Sequence, residues 1–132
     1  MNYQEFMEHR NSINRFARHV HCRLTEVREG YAKAQTLIDE DSVNPVGSVH
    51  GGCIYTTADV ACGAAAASYG QPVTTVDSSF SFMRAGLGIR SMTGEAEVIK
   101  RGKKLLFVRA SIRDDKGTEL AEGMFTFMTL DT

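Results

Sequence analysis

The sequence predicts an α+β domain, an antiparallel sheet of about five or six strands wrapped around one long central helix, with an extra helix at the N-terminus. Three observations predict it. A proline-free stretch dense in alanine runs from Gly51 to Gly70. Strand-like runs follow it, separated by short glycine-containing turns, as in an antiparallel meander. Before it, residues about 2–20 carry Phe6, Ile13, Phe16, Ala17 and Val20 near helical spacing with charges between them.

Taken in order, the amphipathic N-terminal helix leads into His19, His21 and Cys22, read as a helix–strand joint rather than a metal site because no second ligand cluster follows. Leu24, Val27, Tyr31, Ala34, Leu37 and Ile38 alternate imperfectly about Glu29-Gly30, which predicts two antiparallel strands and a turn. The segment D-E-D-S-V-N-P-V-G-S-V-H is a loop punctuated by Pro45 and Gly47. The central helix begins at Gly51, with Gly70 as its expected C-cap and Pro72 preventing continuation. Its residues are small on nearly every face, so a sheet can close around it. Strands are then expected at 73–83, 91–100, 105–113 and 119–130.

Length and composition bound the function. The 132 residues, 42% hydrophobic with net charge −1, make one domain spanning residues 1–132 with a single core. The charge balance gives no nucleic-acid footprint. No run is apolar and long enough for a membrane span, and the polar N-terminus has no signal-peptide core. Three cysteines at non-ligand spacings read as reduced thiols, so a cytoplasmic location is expected.

Two features carry chemistry. Gly51 and Gly52 follow His50 at the helix entry, where the first backbone N–H groups lack helical partners and the helix dipole favours negative charge. Asp59 is a lone carboxylate in an otherwise apolar helix, and burying one is costly without a reason.

The order N-x-x-G-x-x-H-G-G, from Asn44 to Gly52, followed by Asp59, resembles the hotdog-fold acyl-CoA thioesterases of the phenylacetate-degradation and thioesterase-superfamily-member-2 type. Val73-Thr74-Thr75-Val76-Asp77 is similar to the family's strand after the helix. Phe82-Met83-Arg84-Ala85-Gly86 resembles its F-L-R-P-A segment, with Ala85 in place of proline, and Lys100-Arg101-Gly102-Lys103-Lys104-Leu105 resembles its K-x-G-K-x-L hairpin. The likeness covers about residues 36–130.

No metal-binding motif occurs in the sequence, so chemistry without a metal or cofactor is expected. The resemblance implies a hotdog fold and thioester hydrolysis. It implies Asp59 as nucleophile or general base and the amides at Gly51 and Gly52 as donors to the carbonyl. Asn44 is then placed to orient water or the carbonyl. His50 either bonds the thioester sulfur or fixes the loop, and Thr75 either bonds Asp59 or water or is an ordinary strand residue. Tyr55, as part of the acyl pocket, and Phe82 are candidate substrate contacts. Arg84, Lys100, Arg101, Gly102, Lys103 and Lys104 are candidates to meet the phosphates of coenzyme A.

Geometry adds an expectation. Asp59 lies eight residues beyond Gly51, about 12 Å along an ideal helix and about 80° around it. One helix cannot easily bring its own Asp59 to a carbonyl held on its own Gly51. Two antiparallel helices across a twofold axis can, so a homodimer with shared sites is expected, and the family implies dimers of dimers. Competing readings are a hotdog hydratase or dehydratase acting on acyl thioesters and a non-catalytic acyl-CoA sensor. The intact Asp59 speaks against the sensor, and the positions of His50 and Asp59 suit the hydratase less well.

Overall fold

The computed structural model describes residues 1–131. Its centre is helix α3 (Gly51–Ala67), about 25 Å long. His50 caps it in extended backbone conformation, its Nδ1 accepting the Gly52 N–H at 2.8 Å. Ser68 caps its end, two residues short of the expected Gly70. The Ser68 hydroxyl donates to the Ala65 carbonyl and accepts from the Gly30 N–H, tying the helix end to a turn of the sheet.

Six strands surround the helix: β1 (Cys22–Arg28), β2 (Tyr31–Leu37), β3 (Val73–Phe82), β4 (Ser91–Arg101), β5 (Leu105–Asp114) and β6 (Glu119–Thr129). They form one antiparallel sheet in the order β1-β2-β4-β5-β6-β3. The sheet face beneath α3 is built from small residues as well. Ala32, Ala34, Ala96, Ala110 and Ala121 are all buried against it. At Gly94 an added Cβ would sit 3.3 Å from the Thr57 carbonyl, so the strand there approaches the helix backbone. Larger side chains, led by Phe125, Leu24, Met92 and Leu106, fill the remaining core. One polar pair is buried with them: the Thr36 and Thr57 hydroxyls lie 2.6 Å apart, and Thr57 also donates to the Cys53 carbonyl.

The N-terminal region corrects one expectation. Two helices, α1 (Tyr3–Ile13) and α2 (Arg15–His19), stand where one was expected over residues 2–20. Asn14 divides them. Its N–H closes α1 on the Arg10 carbonyl while its side-chain oxygen accepts the Ala17 N–H to open α2. An asparagine side chain competes well for backbone donors, which suits it to caps rather than helix interiors.

The two sheet edges differ. At β1, Asn11 of α1 both donates to the Leu24 carbonyl and accepts the Leu24 N–H, so a side chain takes the place of a further strand. At β3 the residues are mostly exposed, Val76 and Phe82 among them, and a bulge between Thr75 and Asp77 interrupts the pairing with β6. Among the described residues no helix is long and apolar enough to cross a membrane.

Candidate active site

The entry loop sets up the first half of the site. Asn44 Oδ1 accepts from the N–H groups of Val46 and Ser48, and Asn44 Nδ2 donates to the Ser48 hydroxyl. The loop is thereby rigid, and the His50 N–H donates to the Ser42 carbonyl. The chain then turns into α3. Cys53 and Ile54 N–H groups both reach the His50 carbonyl, and the Gly52 N–H is taken by His50 Nδ1. Among the described residues the Gly51 N–H has no acceptor. This corrects the expectation of two bare amides. Gly52 is spent on the cap, and one free donor remains at the helix tip.

That donor opens onto a cleft of about 300 Å³ lined by Gly51, Ile54, Asn44, Phe82 and Arg84. Here the structure brings together four residues singled out in the sequence, from two separate stretches. Phe82 lies against the tip, its ring 3.5 Å from where a Gly51 Cβ would be. Arg84 donates to the Glu119 carbonyl at 3.0 Å. His50 and Gly52 face away from this cleft, into a larger one of about 630 Å³ also lined by Phe16 of α2 and by Val20 just beyond it. Within one chain His50 therefore serves as a cap.

The second half of the site is on the exposed side of α3. Asp59 is half-buried and accepts a hydrogen bond from the Thr75 hydroxyl of β3 at 2.9 Å. Its carboxyl is raised above the ordinary aspartate range by burial, with the Thr75 hydrogen bond and the nearby Arg10 charge pulling the other way. A raised carboxyl is what a proton-transfer group working near neutral pH needs. Asp59, Thr75, Arg10, Asn14 and Phe127 line a small cleft of about 190 Å³. Arg10 and Asn14 come from the N-terminal helices and nothing in the sequence marks them. Their place follows from how α1 docks on β1.

Tyr55, between the two halves, bonds the Ser78 hydroxyl at 2.7 Å and packs edge-on against Phe80. Phe80 in turn meets Phe82, so an aromatic row leads from the helix to the cleft at its tip.

The basic hairpin lies elsewhere. Arg101, Gly102 and Lys103 line a cleft with Tyr69 and Gln71, and the Arg101 guanidinium stacks 4.0 Å above the Tyr69 ring. Lys104 approaches Asp131 at 4.0 Å, and Lys100, like its neighbours in the hairpin, is exposed. Tyr69 follows the C-terminal end of α3, whereas Arg84 sits at the N-terminal end. Grouping Arg84 with the hairpin as candidates for one set of phosphates is thus corrected: within one chain about 25 Å of helix separates them.

Of the residues at the helix–strand joint, His21 pairs with Asp39 at 2.7 Å. Among the described residues no cluster of histidine, cysteine and acidic side chains has the makings of a metal site. The cysteines are buried, with the Cys53 thiol pushed up to about 11 chiefly by that burial.

Residues 46–121, which span the helix entry, α3 and strands β3 to β5, match the Thioesterase superfamily. A putative esterase of Archaeoglobus fulgidus is 30% identical over 83 residues, 63% of this chain and 54% of that protein, so the match spans about half of the relative. Among solved structures, the E. coli PaaI protein from the phenylacetic acid degradation operon superposes with a TM-score of 0.91 at 20% identity, covering 98% of this chain and 93% of that one. A hypothetical thioesterase of Streptococcus pneumoniae, solved with coenzyme A, gives a TM-score of 0.77 at 24% identity over 84% of this chain and 87% of its own. A Streptococcus mutans protein bound to acetyl CoA gives 0.77 at 24% identity, over 83% of this chain and 88% of its own. At these identities the structures establish the hotdog fold. With the family match extending over more than half of the sequence, the chain belongs to the thioesterase superfamily.

Proposed function

We propose that the protein hydrolyses an acyl-CoA thioester to the free acid and coenzyme A, in sites shared between two copies of the chain. The observation that carries the reading is the division of labour along α3: a free amide at Gly51 and a raised carboxylate at Asp59, facing separate clefts. Each cleft is at or below the lower end of the roughly 300–1,000 Å³ typical of ligand pockets. Joined across a twofold axis, the Gly51 cleft of one protomer and the Asp59 cleft of the other would make one site of suitable size, twice over. The exposed β3 edge, with its unpaired backbone groups and exposed Val76 and Phe82, supports pairing along that edge.

In such a site the thioester carbonyl accepts the Gly51 N–H at the positive end of the α3 dipole. Asp59, held by Thr75, either takes a proton from the attacking water or attacks the carbonyl itself. In the second case the acyl–Asp59 anhydride left when the sulfur departs is hydrolysed by water to free the acid and restore the carboxylate. The C–S bond then breaks, and the departing sulfur takes up a proton as free coenzyme A. The acid keeps the oxygen supplied by water. His50 acts by holding the tip, and Asn44 by holding the loop before it. The hairpin of one protomer and Arg84 of another would meet a single nucleotide only through the assembly, and the relatives solved with coenzyme A or acetyl CoA support a ligand of that kind.

A panel of acyl-CoA esters tests the reading by release of free thiol. Hydrolysis of at least one ester is expected, with Asp59→Ala lower by about 10²- to 10⁴-fold and its oligomer intact. Loss of enoyl absorbance without thiol release would point to hydration instead, and binding without turnover to a sensor. Full turnover by Asp59→Ala would remove that carboxylate from the chemistry.

A further inference from the structure

Helix α1 is docked with unusual specificity for a peripheral element. Asn11 makes two hydrogen bonds to Leu24, fixing the helix both along and around its axis. The preceding residue, Arg10, is thereby turned inward over α3. Its side chain is half-buried, lies over the Phe6 ring at 5.4 Å, and places a guanidinium nitrogen 3.4 Å from where a Gly63 Cβ would be. Gly63 is one helical turn beyond Asp59 on the same face. A glycine there leaves room for the guanidinium to lie on the helix, where it lines the same small cleft as Asp59.

We propose that Arg10 is a positioning residue for Asp59, delivered by α1, so that the N-terminal helix completes the electrostatics of the site. This rests on the reading of Asp59 as the reacting carboxylate.

The surroundings of Asp59 make the assignment specific. From α1 it faces Arg10, from the α1–α2 junction the uncharged Asn14, from β3 the Thr75 hydroxyl, and from β6 the Phe127 ring. On α3 itself the buried Cys62 thiol lies near, pushed further toward its protonated form by the carboxylate. Arg10 is thus the one cation lining the cleft among the described residues. Burial works against the ionised form of both partners, and each favours the charge of the other. The cation opposes the rise that burial imposes on Asp59, so Asp59 stays ionised further down the pH scale than it would alone.

The test is the pH profile of kcat/KM for thioester hydrolysis by the intact protein. Arg10→Met should move the acid limb to higher pH, with activity several-fold lower on the acid side and within about twofold of the wild type on the alkaline plateau. Arg10→Lys, which keeps the charge, should return the limb most of the way. A uniform loss at every pH, or a limb unmoved by Arg10→Met, overturns the proposal. Should Arg10→Met fail to fold, Asn11→Ala keeps the guanidinium but unties α1. It too should move the limb upward, and a limb at the wild-type position overturns the proposal. Asp59→Asn separates the two inferences: if it retains full activity and the same limb, the reading of Asp59 fails and takes this one with it. If Asp59→Asn is inactive while the limb ignores Arg10, only the role of Arg10 falls.

Discussion

Replacing Gly51 by proline removes one hydrogen-bond donor and little else. Gly51 is the first residue of α3, the position where proline is best tolerated, because the N–H it lacks has no helical partner there. His50 before it has φ −60° and ψ 134°, the extended conformation a residue preceding proline prefers. The nearest atoms to a new Cβ are those of the Phe82 ring, from 3.5 Å, an ordinary contact. Stability should therefore stay within about 0.5 kcal/mol of wild type by thermal denaturation, as for an innocuous surface change. Turnover should not. The N–H lost is the free donor at the helix tip, and deleting one oxyanion donor typically lowers kcat by about 10²- to 10³-fold, or about 2.7–4 kcal/mol. A coupled assay of thiol release gives kcat and KM together, and the loss should fall on kcat. Wild-type kcat in a normally folded Gly51→Pro protein would refute the reasoning, because no other amide at the tip is free to take over.

Further predictions address the partners of that amide. Mixing Asp59→Ala and Gly51→Pro chains should regain activity in heterodimers, each with one working site; no recovery would mean that each site is built within one chain. His50→Ala should lower stability by about 1 kcal/mol through loss of the cap, whereas His50→Asn, which can cap through its own side-chain oxygen, should recover most of it in the same melting experiment. Because the folded protein holds the Asp59 carboxyl above its unfolded value, stability is fullest below the unfolded value and is lost as pH rises through the folded one. Asp59→Asn should therefore melt higher than wild type at neutral pH, and the gain should shrink on acidification. In native protein the three cysteines should resist alkylation at neutral pH, since all are buried and the thiolate is disfavoured.

Much of the architecture was legible because it rests on local signals. The alanine run could only be a helix approached closely on several sides, and its neighbours in the sheet proved equally small. The strands followed from alternation and turn residues, and their ends fall within a residue or two of those expected. What could not be read depends on registers between distant segments. Asn14 looks like one polar residue among many until both its bonds are seen to be caps. The amide of Gly52 reads as free because histidine is not among the preferred capping residues, yet its Nδ1 takes that N–H. Arg84 and the hairpin are both basic and both exposed, and only the direction of α3 puts them at opposite ends. Arg10 is one charge on an amphipathic helix, and its meaning comes from Asn11 beside it.

A rigid helix explains why a site of this kind would be divided. Between Gly51 and Asp59 the backbone is locked by consecutive hydrogen bonds, so their separation of about 12 Å cannot close by any soft motion. A reacting carbonyl and its attacking group must approach to about 3–3.5 Å. Bending α3 would break the packing of its buried alanines against β2, β4 and β5, which have no slack for it. Bringing in the same helix from a second copy needs no deformation, because a twofold axis would set the amide of each beside the acid of the other. In the proposed assembly the exposed β3 edge and the thin, polar cleft around Asp59 would not be defects of the isolated chain but surfaces for the second copy to cover. On this account catalytic precision comes from the helix and its caps, substrate enclosure comes from assembly, and α1 contributes the charge that keeps the acid ready.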